Sequence, residues 1–399
     1  ALLFTGWRAA SLDLVHLSAQ KTAISKSSLH GPSASGILGA SSARGFCLMS
    51  SFVIFRRFMA AVAILLSFSS APVFAGDVIL DNLTSREARG VLRIARVEVI
   101  NSNLTADDVR LLLDASSDQK TVLSLIARFS ADRMTINGLT FSGDDGTMIF
   151  APLSMTQIDQ GRVARIVLDG VDLDLRVPDT PNVSQLKIRA LDVERADFAS
   201  LVKAILNGRP EEIDFRAEKF TWAGFDWSGP DEHVKANAPG GNRIRLSLAG
   251  VNATTQYEGH APVRSVAEIN GLAIELPPTS DGGRTLADLG YKKLDFSIAG
   301  EMRYDPVKRD LTIANYTITG VNAGRLILSG TFGNIDPSLL GGGVPQEKLA
   351  ALMLANIAQL DIRFINEGAV ENGFAFAAAQ QGKSAAGLRS EASMLVGQM

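Results

Sequence analysis

Cysteine is the scarcest residue in this sequence: Cys47 is the only one among 399 residues. It precedes a secretory signal that we predict at residues 49–75, so the exported chain would contain no thiol. Disulfide bonds, thiolate catalysis and cysteine-ligated metals are therefore excluded for the exported chain.

Histidines and catalytic motifs are also nearly absent. Only His233 and His260 follow residue 75. Neither has a suitably spaced partner, so each is predicted to be a loop residue and not a ligand. The chain has no GxSxG, HExxH, Walker A or dinucleotide-binding glycine motif. One SxxK match, Ser117–Lys120, has no second element to support it. We predict a protein that is not an enzyme and that uses no metal or cofactor.

Long apolar runs and excess positive charge are missing after residue 75. No run there approaches the roughly eighteen residues that a membrane-spanning helix needs. The formal net charge is −3, and residues 1–75 hold six Lys/Arg and one acidic residue, so their removal leaves −8. An acidic chain is a poor nucleic-acid binder, and we predict no nucleic-acid partner.

The first 75 residues read as two segments outside the fold. Residues 1–48 are Ser-rich and are expected to be a non-native or disordered leader. Residues 49–75 follow the signal-peptide pattern, with Arg56–Arg57 before an apolar stretch, Phe58–Phe68, and a cut after Ala75. A helix of that length rises about 16 Å, too little for a roughly 30 Å hydrocarbon layer. The alternative is an uncleaved inner-membrane anchor.

The exported part contains a period of two. Leu294, Phe296 and Ile298 alternate with polar residues, which is typical of an antiparallel strand with one buried face. Together with a few helices, including a helical C-terminus, this predicts an α+β fold dominated by antiparallel β-structure. We expect repeated strand–helix–strand modules that form a curved, elongated sheet. The predicted units are residues 76–180, 181–260 and a C-terminal β-meander with terminal helices, 261–399.

The module order can be read from the first predicted unit. It runs through strand Leu92–Val99, a helical stretch capped by Thr105 and ending at Phe129, strand Arg133–Phe141 and a strand pair, Arg162–Val177. A similar order follows over residues 186–255, which indicates a duplication. Near the C-terminus, Pro345 predicts the first turn of a helix over Pro345–Leu360.

A short glycine motif recurs within the strands. Its copies are INGL at 136–139 and 269–272, LDGV at 168–171, LAGV at 248–251 and ITGV at 318–321. The apolar parity changes across the glycine, which predicts a bend or bulge that keeps both halves facing one core. A two-residue hairpin produces the same change and is the alternative, so some copies are expected to bend and others to turn back.

Aromatic residues concentrate in one stretch, FTWAGFDW. Trp222, Phe225 and Trp227 are the candidate ligand- or partner-binding residues, and packing in a core is the favoured alternative.

An acidic cluster, Asp169, Asp172 and Asp174, follows the same alternation. Because Asp172 and Asp174 alternate with apolar residues, we predict a solvated strand face. Calcium binding together with Asp144–Asp145 is the alternative, although the spacing matches no EF-hand loop.

The run Leu286–Asn334 resembles bacterial envelope proteins of the YdgA-like and AsmA-like kind. The shared features are a Leu-Gly-Tyr approach at Leu289–Tyr291, a Tyr-Asp-Pro hairpin at Tyr304–Pro306 and a closing strand at Gly324–Leu328. The resemblance implies a β-rich protein that faces the periplasm, without catalytic residues. AsmA-like members are associated with outer-membrane integrity and with lipid passage along an apolar channel. This chain is shorter than the long members, and its N-terminal segment looks cleavable.

These observations predict an exported, non-enzymatic protein of the periplasm or cell envelope. The expected partner is a lipid or another apolar molecule, or an envelope protein, held or shielded by a curved sheet in outer-membrane maintenance. The alternative is a periplasmic protein-binding scaffold with a closed core and no ligand. A continuous apolar face would favour lipid, and a closed core would favour the scaffold.

Overall fold

The computed structural model describes residues 76–87, 90–114, 117–176, 183–207, 216–231, 234–235, 241–259, 261–340 and 353–396. The predicted leader and signal, His233, His260 and the predicted helix start at Pro345 lie outside these residues.

Antiparallel strands dominate the described residues, as the alternation predicts. They are β1 Gly76–Glu87, β2 Gly90–Ser102, β3 Ser130–Asn137, β4 Thr140–Gly143, β5 Gly146–Phe150, β6 Leu153–Asp159, β7 Arg162–Arg176, β8 Val183–Asp197, β9 Lys219–Trp222, β10 Phe225–Pro230, β11 Arg243–Leu248, β12 Gly250–Glu258, β13 Ala261–Glu275, β14 Leu294–Asp305, β15 Asp310–Gly320, β16 Gly324–Gly333 and β17 Asn356–Asn366. All seventeen belong to one sheet.

Six α-helices lie in the described part of the chain. They are α1 Ala106–Leu113, α2 Gln119–Ile126, α3 Ala199–Leu206, α4 Asp281–Asp288, α5 Ala369–Gln381 and α6 Ala385–Val396. Thr105 caps α1 as predicted: its side chain accepts from the backbone N–H of Asp108, whose carboxylate accepts from the backbone N–H of Thr105. The helical C-terminus is confirmed by α5 and α6.

The sheet follows the order of the chain almost without exception. Its ladders join β1, β2, β3/β4, β6/β5, β7, β8, β9/β10, β12/β11, β13, β14, β15, β16 and β17, where a slash marks two collinear strands that share one position. Every ladder is antiparallel, and strand spacing gives about 58 Å from the first of these thirteen positions to the last.

The predicted duplication is visible in the topology. In the first unit, the long strand β2 pairs with both β3 and β4, these pair with β6 and β5, and both of the latter pair with the long strand β7. The second unit repeats this pattern with β8, β9/β10, β12/β11 and β13. A helical segment follows the first long strand in both units. By this pattern the second unit ends with β13 at residue 275, and the predicted boundaries at 180 and 260 stay predictions.

Most copies of the glycine motif bend strands. Gly138 separates β3 from β4, which pair with one continuous partner, and Gly170 lies inside the single strand β7, so the predicted strand pair at Arg162–Val177 is wrong. Gly271 sits where β13 shifts register against β14. Ala249 alone separates β11 from β12, which begins at Gly250. Only the copy at 318–321 ends a strand before a hairpin.

These bends line up across the sheet in one transverse row, which we call the bend line. Backbone hydrogen bonds connect its neighbours: Ala95 N–H to Gly138 O, Ala151 N–H to Gly170 O, Arg189 N–H to Gly224 O, and Ala249 N–H to Asn270 O. A Cβ on Gly138 would lie 2.5 Å from the Cβ of Ala95, and one on Gly271 would lie 2.9 Å from the Cβ of Ala249. Close approach of strands and positive φ angles together favour glycine at this line.

The helix predicted over Pro345–Leu360 is wrong in its described C-terminal part. Residues from Asn356 onward form β17, which continues to Asn366. Its ladder with β16 shifts register between Thr331 and Phe332, so that Ile357 and Leu360 both point to one face although three positions separate them. This irregularity breaks the strict alternation, and the remaining spacing is compatible with a helix.

Candidate functional site

One row of apolar side chains crosses the entire sheet. Directly paired residues on neighbouring antiparallel strands project to the same face, so the ladders define the row without ambiguity. We call it the central row: Leu80, Val97, Ile136, Leu153, Leu168, Leu191, Trp222, Val251, Ile269, Ile298, Ile318, Leu326 and Phe364. All thirteen strand positions contribute an apolar residue to it.

A second row runs beside the central row on the same face. It consists of Val78, Val99, Met134, Met155, Ile166, Val193, Phe220, Ala253, Ala267, Gly300, Tyr316, Leu328 and Ile362. Across the bend line, a further apolar row links Leu92, Phe141, Met148, Leu173, Leu186, Trp227, Leu246, Ile274 and Leu294. The apolar surface is thus several residues deep along the strands.

Apolar side chains on both sides of the bend line project to the same face of the sheet. Trp222 belongs to the central row and Phe225 lies beyond the bend, yet their rings stack at 5.4 Å between centroids with an interplanar angle of 26°. In the first unit, buried residues from both sides of the line form one hydrophobic cluster that includes Ile136 and Met148. The parity change therefore keeps one continuous apolar face, as the glycine pattern predicts.

Helices cover this face in the first unit. Val109 of α1, Ile126 of α2 and Val202 of α3 are fully buried in the cluster that contains the first members of the central row. Phe129, directly after α2, is also 0% exposed. This part of the sheet has an ordinary closed core.

The cover thins toward the C-terminal edge. In the central row Val97 is 0% and Ile136 2% exposed, the middle members are half-buried, and Leu326 and Phe364 reach 37% and 52%. We call the exposed and half-buried apolar surface on β14–β17 the open apolar face: Phe296, Ile298, Met302, Ile313, Tyr316, Ile318, Leu326, Leu328, Leu360, Ile362 and Phe364. A small cluster around Tyr304 and Leu311 closes only one end of it. A contiguous apolar surface of this kind is typical of a binding site.

The predicted aromatic candidates lie where the covered surface gives way to the half-buried one. Trp222, Phe225 and Trp227 are all half-buried. Trp222 and Trp227 belong to the apolar rows, and Phe225 lies two residues before Trp227 on the same face of β10. The structure brings Trp222 and Phe225 into direct contact. They are thus positioned to continue the open apolar face inward, and their role in binding stays a prediction.

The opposite face is polar and carries cross-strand ion pairs. Arg165 donates to both carboxylate oxygens of Asp192, at 3.0 and 2.7 Å, and these hydrogen bonds hold the pKa of Asp192 below its usual value. Glu301 accepts from Arg303 and from Arg264, each at 2.9 Å, and both hydrogen bonds lower the pKa of Glu301. The sheet is therefore amphipathic, with these cross-strand ion pairs on the face opposite the apolar rows.

A polar hollow of about 240 Å³ has its charged lining residues paired. Lys219 bonds to Glu194, Arg195 lies 2.9 Å from Glu218, and Arg264 is bound to Glu301. Such neutralised pairs leave little unbalanced charge to recognise an ionic ligand.

The acidic cluster lies on a solvated strand face, as predicted. Asp169, Asp172 and Asp174 are exposed, and Asp172 lies 3.4 Å from Lys187. Among the residues that the structure describes, no group of three His, Cys, Asp or Glu side chains could hold a metal ion. No helix in this part of the chain is long and apolar enough to span a membrane.

Sequence reasoning missed the rows themselves. Alternation identifies which residues of one strand share a face, and it assigned Phe296 and Ile298 correctly. The neighbours of those residues depend on register, which sequence spacing alone does not give for strands joined by loops or helices. The contribution of Ile362 and Phe364 was missed because β17 was predicted as helix up to Leu360.

The C-terminal part of the chain matches one family model. A family model described as "Uncharacterized protein" matches residues 317–399, which include β16, β17, α5 and α6. No curated protein matches the chain. No solved structure matches it either. The resemblance of Leu286–Asn334 to YdgA-like and AsmA-like proteins therefore stays a hypothesis.

Proposed function

We propose that this chain is an exported, non-enzymatic protein of the bacterial cell envelope that holds lipid acyl chains against its open apolar face. The supporting observation is the central row, which stays apolar through all thirteen strand positions while its exposure rises to 52% at Phe364. Exposed apolar surface in water is unfavourable, and a flexible acyl chain can follow a row of side chains. Each methylene group that leaves water contributes about 0.8 kcal/mol.

The position of the charges supports an acyl chain over a charged ligand. Several Lys and Arg side chains of the strands pair with carboxylates on the other face, as in Arg165–Asp192 and Arg264–Glu301. The open apolar face offers aromatic and aliphatic groups such as Phe296, Tyr316 and Leu328. In this role the protein shields apolar chains from water within the envelope, as part of outer-membrane maintenance.

A matched pair of variants tests the proposal on the protein itself. Leu326 and Ile327 are adjacent on β16 and point to opposite faces of the sheet. Leu326→Asp places a charge in the central row and is expected to weaken binding of a fluorescent fatty acid at least several-fold. Ile327→Asp is the control and is expected to leave binding within twofold of wild type. Equal affinity of the two variants, with both folded by circular dichroism, would overturn the proposal.

Mass spectrometry of gently extracted protein tests the natural ligand. We expect co-purified lipid, and less of it with Leu326→Asp. The closed core of the first unit favours the alternative, a protein-binding scaffold, for that part of the molecule. Absence of lipid together with a stoichiometric protein partner would support the scaffold and contradict lipid binding.

Export is tested separately by N-terminal sequencing of protein recovered from the envelope. A chain starting at Gly76 is the expected result, since the predicted cut follows Ala75. Retention of residues 58–75 would instead indicate an inner-membrane anchor. Either result leaves the test of lipid binding unaffected.

A further inference from the structure

The last strand of the sheet has an edge that pairs with no strand among the described residues. Strand β17 pairs with β16 along one side, and no described strand forms a ladder with its other side. Ten of its eleven residues are exposed. An unpaired edge presents a line of backbone N–H and C=O groups that can bond another strand.

The two outer strands of the sheet, β1 and β17, differ in how well they are protected against pairing with another strand. Strand β1 carries Asp77, Asp81, Arg86 and Glu87, and Asn82 has a φ of 56° that interrupts its regular course. Strand β17 has no proline or lysine, and its only charges are Asp361 and Arg363. Charges, prolines and irregular backbone discourage pairing at edges. The register shift of β17 lies at residue 358, so its regular part, residues 359–366, is the edge suited to accept a strand.

The charges of β17 are complementary to a second copy of the same strand. Antiparallel pairing centred on Ile362 places Asp361 of each copy opposite Arg363 of the other and Leu360 opposite Phe364. Centring on Asp361 or on Arg363 would instead place like charges opposite each other. A shift by one residue would set apolar side chains against polar ones. Among the described residues neither Asp361 nor Arg363 has an ion-pair partner within one copy.

We propose that two copies of this chain pair through β17 about a two-fold axis at Ile362. The two strands form an antiparallel ladder, and the two sheets become one. Directly opposed side chains project to the same face, so Leu360, Ile362 and Phe364 of the two copies form one continuous apolar surface. The open apolar face thus runs from one copy into the other, which goes beyond lipid binding by a single chain.

Cross-linking tests the axis directly. Ile362 and Ile357 are similarly exposed, at 60% and 63%. In the proposed register residue 362 faces its own copy with Cβ atoms about 5 Å apart, whereas the two residues 357 lie about 34 Å apart. Because Cys47 is the only cysteine, Cys47→Ser gives a background without thiols. In that background Ile362→Cys is expected to form covalent dimers with a short thiol-reactive cross-linker, and Ile357→Cys is expected to form none.

Charge exchange tests the register. Sedimentation equilibrium of the full chain is expected to show a dimer. Asp361→Arg or Arg363→Asp alone is expected to weaken it about tenfold, because each change replaces two opposite-charge contacts by two like-charge contacts. The double variant restores complementarity and is expected to dimerise like wild type.

Specific outcomes would overturn the proposal. A monomer at all concentrations, cross-linking of Ile357→Cys equal to that of Ile362→Cys, or failure of the double variant to recover dimerisation would each contradict it. Open-ended polymers would indicate head-to-tail pairing of β17 with β1 instead. Fatty-acid binding by monomeric protein would leave the proposed function standing, so the two proposals can fail separately.

Discussion

Gly138 is one of the bend-line positions that favour glycine. Its φ of 64° lies in the left-handed region, and a Cβ there would meet the Cβ of Ala95 at 2.5 Å. Gly138→Ala is therefore expected to lower the free energy of unfolding by about 1–3 kcal/mol. Chemical denaturation monitored by circular dichroism measures this loss.

Gly373→Ala is the matched control for Gly138→Ala. Gly373 lies inside α5, and a Cβ there would meet nothing within 4 Å. Alanine at this position is expected to leave stability unchanged or to raise it by up to about 1 kcal/mol. Equal losses for the two variants would contradict a specific role of glycine at the bend.

Asp192 gives stability a dependence on pH. Its hydrogen bonds from Arg165 lower the pKa of Asp192 below its usual value of 3.8 in the folded chain, so its contribution is present above that value and is lost as pH falls through the lowered pKa. Asp192→Asn is expected to cost up to about 1 kcal/mol at neutral pH and progressively less below about pH 4. Urea denaturation of wild type and Asp192→Asn at pH values from about 2 to about 7 measures how the difference in their free energies of unfolding changes with pH.

Asp174→Asn is the control for the pH series. Asp174 is exposed and has no ion pair among the described residues. A difference between wild type and Asp192→Asn that stayed constant from neutral to acid pH would show that the Arg165 contact does not set the pKa of Asp192.

At the scale of elements, the helices of the first unit distinguish a covered sheet from an uncovered one. Phe129, directly after α2, is 0% exposed, and Phe364 on β17 is 52% exposed. Phe129→Ala is expected to cost about 3–5 kcal/mol, because it leaves a cavity in a packed core. Phe364→Ala is expected to cost less than about 1 kcal/mol. Thermal or chemical unfolding of both variants measures the two losses of stability. Similar losses would show that β17 is covered as completely as the first unit.

The strands and most helices were predictable because their signals are local. Leu294, Phe296 and Ile298 alternate with polar residues, and Thr105 precedes two acidic residues at the start of α1. Strand β17 was not predictable in the same way, since its register shift disrupts the alternation. The dipeptide Asn137–Gly138 also matches a two-residue hairpin turn. Only the pairing of both β3 and β4 with the long strand β2 shows that the chain keeps its direction through these residues.

At the scale of the whole molecule, the sequence predicted an amphipathic antiparallel sheet but not the site on it. Whether Ile318 or Phe364 is covered depends on which segments fold over it, and those segments are distant in the chain. Alternation also assigns the same pattern to Ile136, which is buried, as to Ile298, which is half-buried. The candidate site is the part of the apolar face that other segments leave exposed. Local sequence patterns do not tell which part of a face other segments cover.

The sequence-ordered ladder also affects how the protein can be assembled and how it can change. Each strand pairs with segments that are adjacent or nearly adjacent in the chain, so pairing can proceed as the polypeptide emerges, without waiting for its far end. The same arrangement allows the number of strands in the sheet to change. Duplication of one further four-position unit would lengthen the sheet by about 19 Å and leave every existing connection in place.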